Sequence, residues 1–506
     1  MSHYYLILEG FDKMDILISI PFLIFLPMLA SFLIMSPLFT RNEIAIRRFS
    51  KGIFGFHLLY TILMLLLFDL SNPYTAKLSF WGIDWIQSLG VQFSFKIDGI
   101  SMILVLLTSF IFFLSSIASK THIRKNCKFY YSMLLLLMSA VLGIFTANDM
   151  FVFFMFWELE LIPAYFLIGG DFSLDINPNA KKSAMKFVLF TFLGSMIMLL
   201  GILLLHYYNY ITSQALTATF GDIFTERIPF GIQIAIAVCF IIGFGVKLPV
   251  IPLHTWLPDA HTDAPTPISM ILAGIMLKTG AYGMFRFNYQ IMNDVFRYIA
   301  PALAVLALIN IIYTAFIAYS QTDIKRIVAY SSISNMGLIL LGLCAFNQIG
   351  LSASVFHMLA HGLVTAGLFM ICGIVYLRCK TRDINSLGGI ASNMPRFFGL
   401  STLIILASIG VPIFAPFISE ILTIISAMFS DLGIVLKGTA ILSLPLLIIS
   451  SCYMLKFLHC GFMGDKQDAF AKINDITTHE FIVLTSIMVL LLIFGIFPQV
   501  VLGLIG

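Results

Sequence analysis

The chain of 506 residues is 60% hydrophobic and only 11% charged, with a mean hydropathy of +1.00. Soluble domains run about 45–50% apolar and about 25% charged, which excludes a soluble enzyme and describes one membrane domain from end to end. The net charge of +4 lies between the apolar runs, which fits a bilayer surface and argues against nucleic acid.

A hydrocarbon core takes about 20 apolar residues per helix, which predicts an all-α integral membrane protein of about fourteen transmembrane helices. They fall at 16–39, 52–70, 99–119, 130–147, 149–170, 184–206, 229–250, 266–286, 297–319, 327–345, 351–377, 397–426, 434–456 and 481–503. The residues ahead of the first include Glu9, Asp12 and Asp15 in place of a basic n-region and cleavage site, so the first helix reads as retained, with no signal peptide. Arg41, Arg47, Arg48 and Lys51 follow predicted helix 1, and Lys120, Arg124, Lys125 and Lys128 follow helix 3. Lys181 and Lys182 follow helix 5, Lys325 and Arg326 helix 9, Arg378, Lys380, Arg382 and Arg396 helix 11, Lys466 and Lys472 helix 13. The even-numbered loops hold only Lys77, Lys96 and Arg227. Positive charge accumulates on the cytoplasmic side, which puts the odd loops inside and both termini outside. Segment 71–98 alternates through Leu78, Phe80, Ile83 and Trp85, then Val91, Phe93 and Phe95, and reads as a hairpin lying on the membrane domain. Segment 457–480 reads as an amphipathic surface helix or partner contact.

Ionisable side chains inside apolar helices are costly and mark function by default. In chain order the first are Glu158 and Glu160, in Trp157-Glu158-Leu159-Glu160-Leu161-Ile162-Pro163 of helix 5. Two residues apart, they project to roughly opposite faces. Lys186 in helix 6 is near the basic end and within snorkelling reach. Lys247 closes helix 7, and Pro249, Pro252, Pro258, Pro265 and Pro267 follow it. Prolines break helices, and in a membrane that is tolerated only where protein or water satisfies the freed backbone. Glu158 is the natural partner for Lys247. Paired, both stay charged; with the pair broken, the desolvated lysine can give up its proton. His254 and His261 lie among the prolines and can relay protons through either ring nitrogen; His261 is expected in a loop. Lys278 sits in helix 8 far from any loop, either as a proton carrier or as a donor to broken-helix carbonyls. His357 and His361 share one face of helix 11, and Glu420 follows Pro412 and Pro416 in helix 12. Helices 7 and 12 are thus both broken, five apart, which matches transporters built of two inverted five-helix repeats. Cys127, Cys239, Cys344, Cys372, Cys379, Cys452 and Cys460 show no CxxC, zinc, haem or iron–sulfur spacing, and no glycine-rich nucleotide loop is present. No metal ligand set, redox cofactor or nucleotide is expected on the chain itself.

The run from Val246-Lys247-Leu248-Pro249 through His254-Thr255-Trp256-Leu257-Pro258-Asp259-Ala260-His261 to Leu277-Lys278-Thr279-Gly280, the Trp-Glu setting of Glu158, Gln321-Thr322-Asp323-Ile324-Lys325-Arg326 with Ala329-Tyr330-Ser331-Ser332, and His361-Gly362-Leu363 resemble the antiporter-like membrane subunits of respiratory complex I. The likeness is to the chain 4 or subunit M type of NADH-quinone oxidoreductase. Trp157-Glu158-Leu159-Glu160-Leu161-Ile162-Pro163 is similar to its cyanobacterial and plastid form, whose electron donor can differ from NADH. The resemblance implies the inverted-repeat fold and a proton path at mid-membrane depth. It makes Glu158 and Lys247 the first-half ion pair, Lys278 the central lysine, His361 a member of the second half and Glu420 the terminal acid. It implies neighbouring antiporter-like subunits, with NAD(P)H, FMN, iron–sulfur clusters and quinone handled elsewhere in the complex. The expected units are 1–128 (three N-terminal helices), 129–290 and 291–457 (the repeats), and 458–506 (amphipathic segment and last helix). Asn335, in Ser334-Asn335-Met336-Gly337, departs from the family, which usually has histidine there. Either water carries that step, His357 substitutes, or the coupling is altered. The alternatives in function are a subunit of a multi-subunit cation/proton antiporter and one of a membrane-bound hydrogenase; glutamate rather than lysine at 420 leans toward chain 4.

Overall fold

The computed structural model describes residues 19–37, 39, 42–67, 80–172, 177–214, 216–464, 470 and 473–505. Glu9, Asp12, Asp15, Arg41, Lys77, Leu78, Lys466 and Lys472 lie outside them. The chain is helical almost throughout: α1 Ile20–Met35, α2 Glu43–Leu67, α3 Gly99–His122, α4 Cys127–Thr146, α5 Met150–Gly169, α6 Ala180–Ser213 and α7 Phe230–Lys247. There follow α8 Leu257–Asp263, α9 Thr266–Ile291, α10 Asn293–Ser320, α11 Ile324–Cys344, α12 Gln348–Cys379, α13 Pro395–Ser408 and α14 Ala415–Met428. Then come α15 Ile434–Phe462, interrupted at Leu444, and α16 Thr478–Ile496. Among the described residues, 12 helices are long and apolar enough to cross a membrane, and α1, α13 and α14 are shorter apolar helices.

Several helices begin at a capping side chain, as polar helix ends at a membrane edge require. Asp149 accepts from Phe151 N at 2.8 Å, Asp323 from Lys325 N at 2.8 Å, and Asn347 from Gly350 N at 2.8 Å. Asp98 accepts from Ser101 N at 2.9 Å and is ion-paired with Arg286 of α9. Burial alone would push the Asp98 carboxyl up; the guanidinium and the Ser101 hydrogen bonds outweigh it and hold the group below the usual carboxylate range.

The predicted hairpin is present within 80–96. Strand β1 (Phe80–Ile86) pairs antiparallel with β2 (Val91–Lys96), with Phe80 opposite Lys96 and Ile83 opposite Phe93. Phe95 is fully buried and meets Phe156 of α5 edge-on, ring centroids 5.8 Å apart, which seats the hairpin on the helices. The expected surface helix at 457–480 is not seen as a separate element in the described residues: α15 runs on to Phe462, and 473–477 is irregular. Arg47, Arg48 and Lys51 lie inside α2, whose start at Glu43 is earlier than apolarity alone predicts.

Both expected breaks are present. After Lys247 the chain passes through turns to α8 and only then into α9, with π-helical turns at Leu272–Met276 and Met284–Ile291. Protein groups satisfy the freed backbone: Trp256 Nε1 donates to Val246 O at 2.9 Å, and Ile251 N donates to Asn310 Oδ1 at 3.1 Å. Predicted helix 12 is divided into α13 and α14 by 409–414. Helices α9 and α12 are buried along their apolar length and form the centre, whereas α2, α6 and α16 turn apolar side chains such as Leu66, Leu193 and Phe481 outward, as lipid-facing helices do.

One carboxylate ties two helix ends together. Glu480 closes the capping box of α16 with Thr477 and also receives Arg378 of α12, Nη1 to Oε1 at 2.7 Å and Nη2 to Oε2 at 2.5 Å. Only 1% of the Glu480 side chain is exposed. Arg378→Ala strands that buried carboxylate, at a cost of roughly 3–5 kcal/mol. The expected result is a clear fall in the detergent melting temperature, largely reversed by adding Glu480→Gln; an unchanged melting temperature would refute the tie.

Candidate functional site

The central pair of helices carries a fully buried lysine. Lys278 on α9 is 0% exposed. Its ammonium donates to Ala273 O, within the first π-helical turn, at 2.5 Å and meets His361 Nδ1 of α12 at 2.8 Å. The helices come this close because glycines face each other: a Cβ on Gly362 would sit 2.8 Å from Gly274 O. Gly280 plays the same part against α7, where a Cβ would meet Leu248 N at 2.7 Å; this brings the helix of Lys278 against the end of the helix that carries Lys247.

Lys247, 1% exposed, is the last residue of α7. It is ion-paired with Glu160, which is 0% exposed, and its Nζ lies 3.9 Å from the Trp157 ring centroid. The expected Glu158–Lys247 salt bridge is therefore corrected: the carboxylate bound to Lys247 is Glu160. The reason is the rotation of α5. Phe153, Trp157, Glu160 and Ala164 follow helical spacing and form its buried stripe. Glu158 lies on the other face with Ile162, where it lines an apolar groove of about 790 Å³ with Phe25, Tyr165, Met185 and Phe192; its Oε1 is buried without a hydrogen-bond partner.

His254 lies in the turns after α7, 8% exposed, with its ring edge toward Tyr313. His261, expected in a loop, is instead fully buried in α8, its ring stacked on Phe369 at 4.8 Å and both ring nitrogens unpartnered. The proline-rich segment forms a helical turn there and folds the ring inward. Lys186 is half-exposed and clasps α8 from outside, bonding to Asp259 at 2.7 Å and to Thr255 O at 2.8 Å; Arg326 holds the other Asp259 oxygen at 3.1 Å. That geometry makes Lys186 a fastener of the broken segment.

In the second half, His357, His361 and Glu420 line one small cavity with Asn335 and Ser331. His357, His361 and Glu420 are 1%, 3% and 6% exposed. Lys325, expected as a loop charge, is only 5% exposed and donates to Ala264 O at 2.8 Å. Nothing local in the sequence signals this, because the basic segment around it reads as a loop end. It borders a polar cavity of about 740 Å³ with Arg124, Lys181, Lys380 and Arg382, so basic residues from four odd-numbered loops gather at one end of the protein.

The arrangement is a series of buried groups, each able to hold a proton, placed beside the two helix breaks. Among the described residues no group of three His, Cys, Asp or Glu side chains could hold a metal ion.

The family described as "NADH:quinone oxidoreductase/Mrp antiporter, TM" matches residues 147–443. NAD(P)H-quinone oxidoreductase chain 4 2 of Microcystis aeruginosa is 39% identical over 88% of this chain and 79% of its own length. NADH-quinone oxidoreductase subunit M of Pseudomonas aeruginosa is 36% identical over 83% and 81%. Among solved structures, a chain of respiratory complex I from Thermus thermophilus superposes with a TM-score of 0.84 at 24% identity, covering 96% of this chain and 100% of that one. A chain of the Mrp complex from a Dietzia species gives 0.82 at 20% identity, covering 98% and 97%. At these identities the structural likeness is one of fold.

Proposed function

The chain belongs to the NADH:quinone oxidoreductase/Mrp antiporter transmembrane family, and from that premise we propose that it is the proton-translocating chain 4 (subunit M) component of a complex I-type NAD(P)H-quinone oxidoreductase. The observation that carries this reading is the buried series Glu160–Lys247, Lys278–His361 and Glu420 beside the broken helices, together with relatives named for the quinone oxidoreductase at 36–39% identity. NAD(P)H, FMN, iron–sulfur clusters and quinone belong to partner subunits in this reading. This chain contributes proton movement alone.

In the proposed cycle, electron transfer in the partners reaches the chain as a conformational or electrostatic change. Opening the Glu160–Lys247 pair leaves the lysine desolvated, which favours loss of its proton. The proton moves to Lys278, then by His361 to Glu420. His254 and His261 lie beside the break between α7 and α9 and are assigned to its hydration and proton supply. We assign the ion pair to Glu160 in place of Glu158. The fourteen-helix count, with α1 as a span and α13 and α14 as halves of one, the inverted repeats at 129–290 and 291–457, the flanking units 1–128 and 458–506, and termini outside an energy-transducing membrane are part of the same proposal. The basic end of the protein supports that orientation.

Purification of the tagged chain from its native membrane, with mass spectrometry of what accompanies it, tests the assignment. Flavin and iron–sulfur subunits together with a quinone-site subunit are expected. Recovery of hydrophobic antiporter subunits alone would overturn it in favour of a cation/proton antiporter.

A further inference from the structure

We infer that His357 carries the proton between His361 and Glu420 through one water held in the cavity they share with Asn335, and so stands in for the histidine that the family resemblance leads one to expect at 335. This deepens the proposed function and rests on it.

The hydrogen bonds set the direction of each ring. In the proton-loaded state Lys278 is an ammonium and only donates, so in that state His361 Nδ1 accepts from it at 2.8 Å, and the neutral ring carries its hydrogen on Nε2. Ser419 donates its hydroxyl to Pro416 O at 2.8 Å. Its 2.7 Å contact with His357 Nδ1 is therefore a bond in which the ring donates, which leaves His357 Nε2 bare and basic. Both Nε2 atoms and Glu420 Oε2 are buried without a partner in the protein, and all three residues line the same cavity. One donor and two acceptors are the complement of a single water, which accepts one hydrogen bond and donates two. The cavity offers about 10 Å³ to the centre of a water molecule, and roughly that much is needed to hold one.

Asn335 commits its Nδ2 to Ser331 O at 2.8 Å. What remains is its second N–H and its oxygen, which can orient a water but cannot take up a proton. His357 has a free basic nitrogen on the cavity, a ring fixed by Ser419, and a place one helical turn from His361, ring centroids 6.0 Å apart. Water is a poor resting place for a proton near neutral pH; imidazole is a good one.

The transfer balances in N–H and O–H bonds alone. Lys278 gives a proton to His361 Nδ1. His361 releases its Nε2 proton to the water as the water passes one to His357 Nε2. The water then reorients, takes that proton back and delivers one to the Glu420 carboxylate, which leaves His357 neutral again and His361 with its hydrogen on Nδ1; exchange to the Nε2–H form, through the cavity water, resets His361 before Lys278 is reloaded.

The test uses the assembled complex in proteoliposomes, with protons pumped per electron and quinone reduction read together. His357→Gln keeps a hydrogen-bonding side chain and removes the carrier. Its pumping is expected to fall to the level of a Lys278→Met complex, and the double variant His357→Gln/Asn335→His is expected to restore it. If the glutamine variant does not assemble, His357→Asn, which can still donate to Ser419, takes its place. Normal pumping by the His357 variant while Lys278→Met and Glu420→Gln pump poorly overturns the inference and leaves the chain a proton route. A defect that Asn335→His does not rescue overturns it too, because a purely structural role is not transferable to another helix. Normal pumping in all of these variants removes the proposed function itself.

Discussion

Replacing Lys278 with methionine is expected to stop proton translocation through this chain while its helices stay in place. Lys278 is fully buried, and Met matches its length without a charge. Exchanging a buried ionic group for an apolar one of similar volume is often neutral or stabilising. The local loss is the partner of His361 Nδ1, a cost of about 1–3 kcal/mol for a stranded acceptor, which the rest of α9 and α12 can absorb. A positioned acid–base group contributes roughly 10²–10⁴-fold to proton transfer, so translocation through this subunit should drop at least about tenfold. Lys278→Arg should fare no better, because guanidinium keeps its proton at any working pH. The measurement is protons pumped per electron in proteoliposomes. An unchanged ratio in both variants would remove Lys278 from the route.

The second large effect separates the two glutamates of α5. Glu160→Ala strands the Lys247 ammonium where both partners are almost fully buried. Breaking such a pair from one side costs roughly 3–5 kcal/mol, so the melting temperature of the complex should fall sharply. Removing both charges, as Glu160→Gln with Lys247→Met, should recover most of the loss while pumping stays impaired. Glu158→Gln should barely shift the melting temperature, since its carboxylate lines a groove and among the described residues it is held by a Ser195 hydrogen bond, which an amide can keep, and by no salt bridge. Equal destabilisation by the 158 and 160 substitutions would show that α5 turns the other way.

That rotation marks the boundary of what was legible beforehand. Lipid requires each span to satisfy its own backbone, so apolar length announces the helices, and Lys247, Lys278 and Glu420 stand out as charges within them. The proline cluster announces the break at α7, and Pro412 with Pro416 the one at α13 and α14. Helix α5 is different, because it is apolar on the face toward protein and on the face toward lipid alike. With no polar side to orient it, Glu158 and Glu160 could not be told apart by periodicity; only packing of Phe153 and Trp157 against the interior decides. Lys325 and His261 were misplaced for a related reason. Each lies beside a basic or proline-rich segment that reads as a loop, and only the tertiary fold turns it inward. The pairing of His357 with Ser419 joins residues 62 apart, and nothing local announces it.

The contact between Gly274 and Gly362 has a mechanical meaning. Backbone rests on backbone there, with no side chain to flex, so the spacing of Lys278 from His361 behaves as a fixed bearing. In the proposed cycle, a stroke delivered by partner subunits would not be taken up at that point. It would be absorbed at the two breaks, beyond Lys247 and ahead of Glu420, so that in the proposed relay the middle would stay at constant gauge while its two ends open and close.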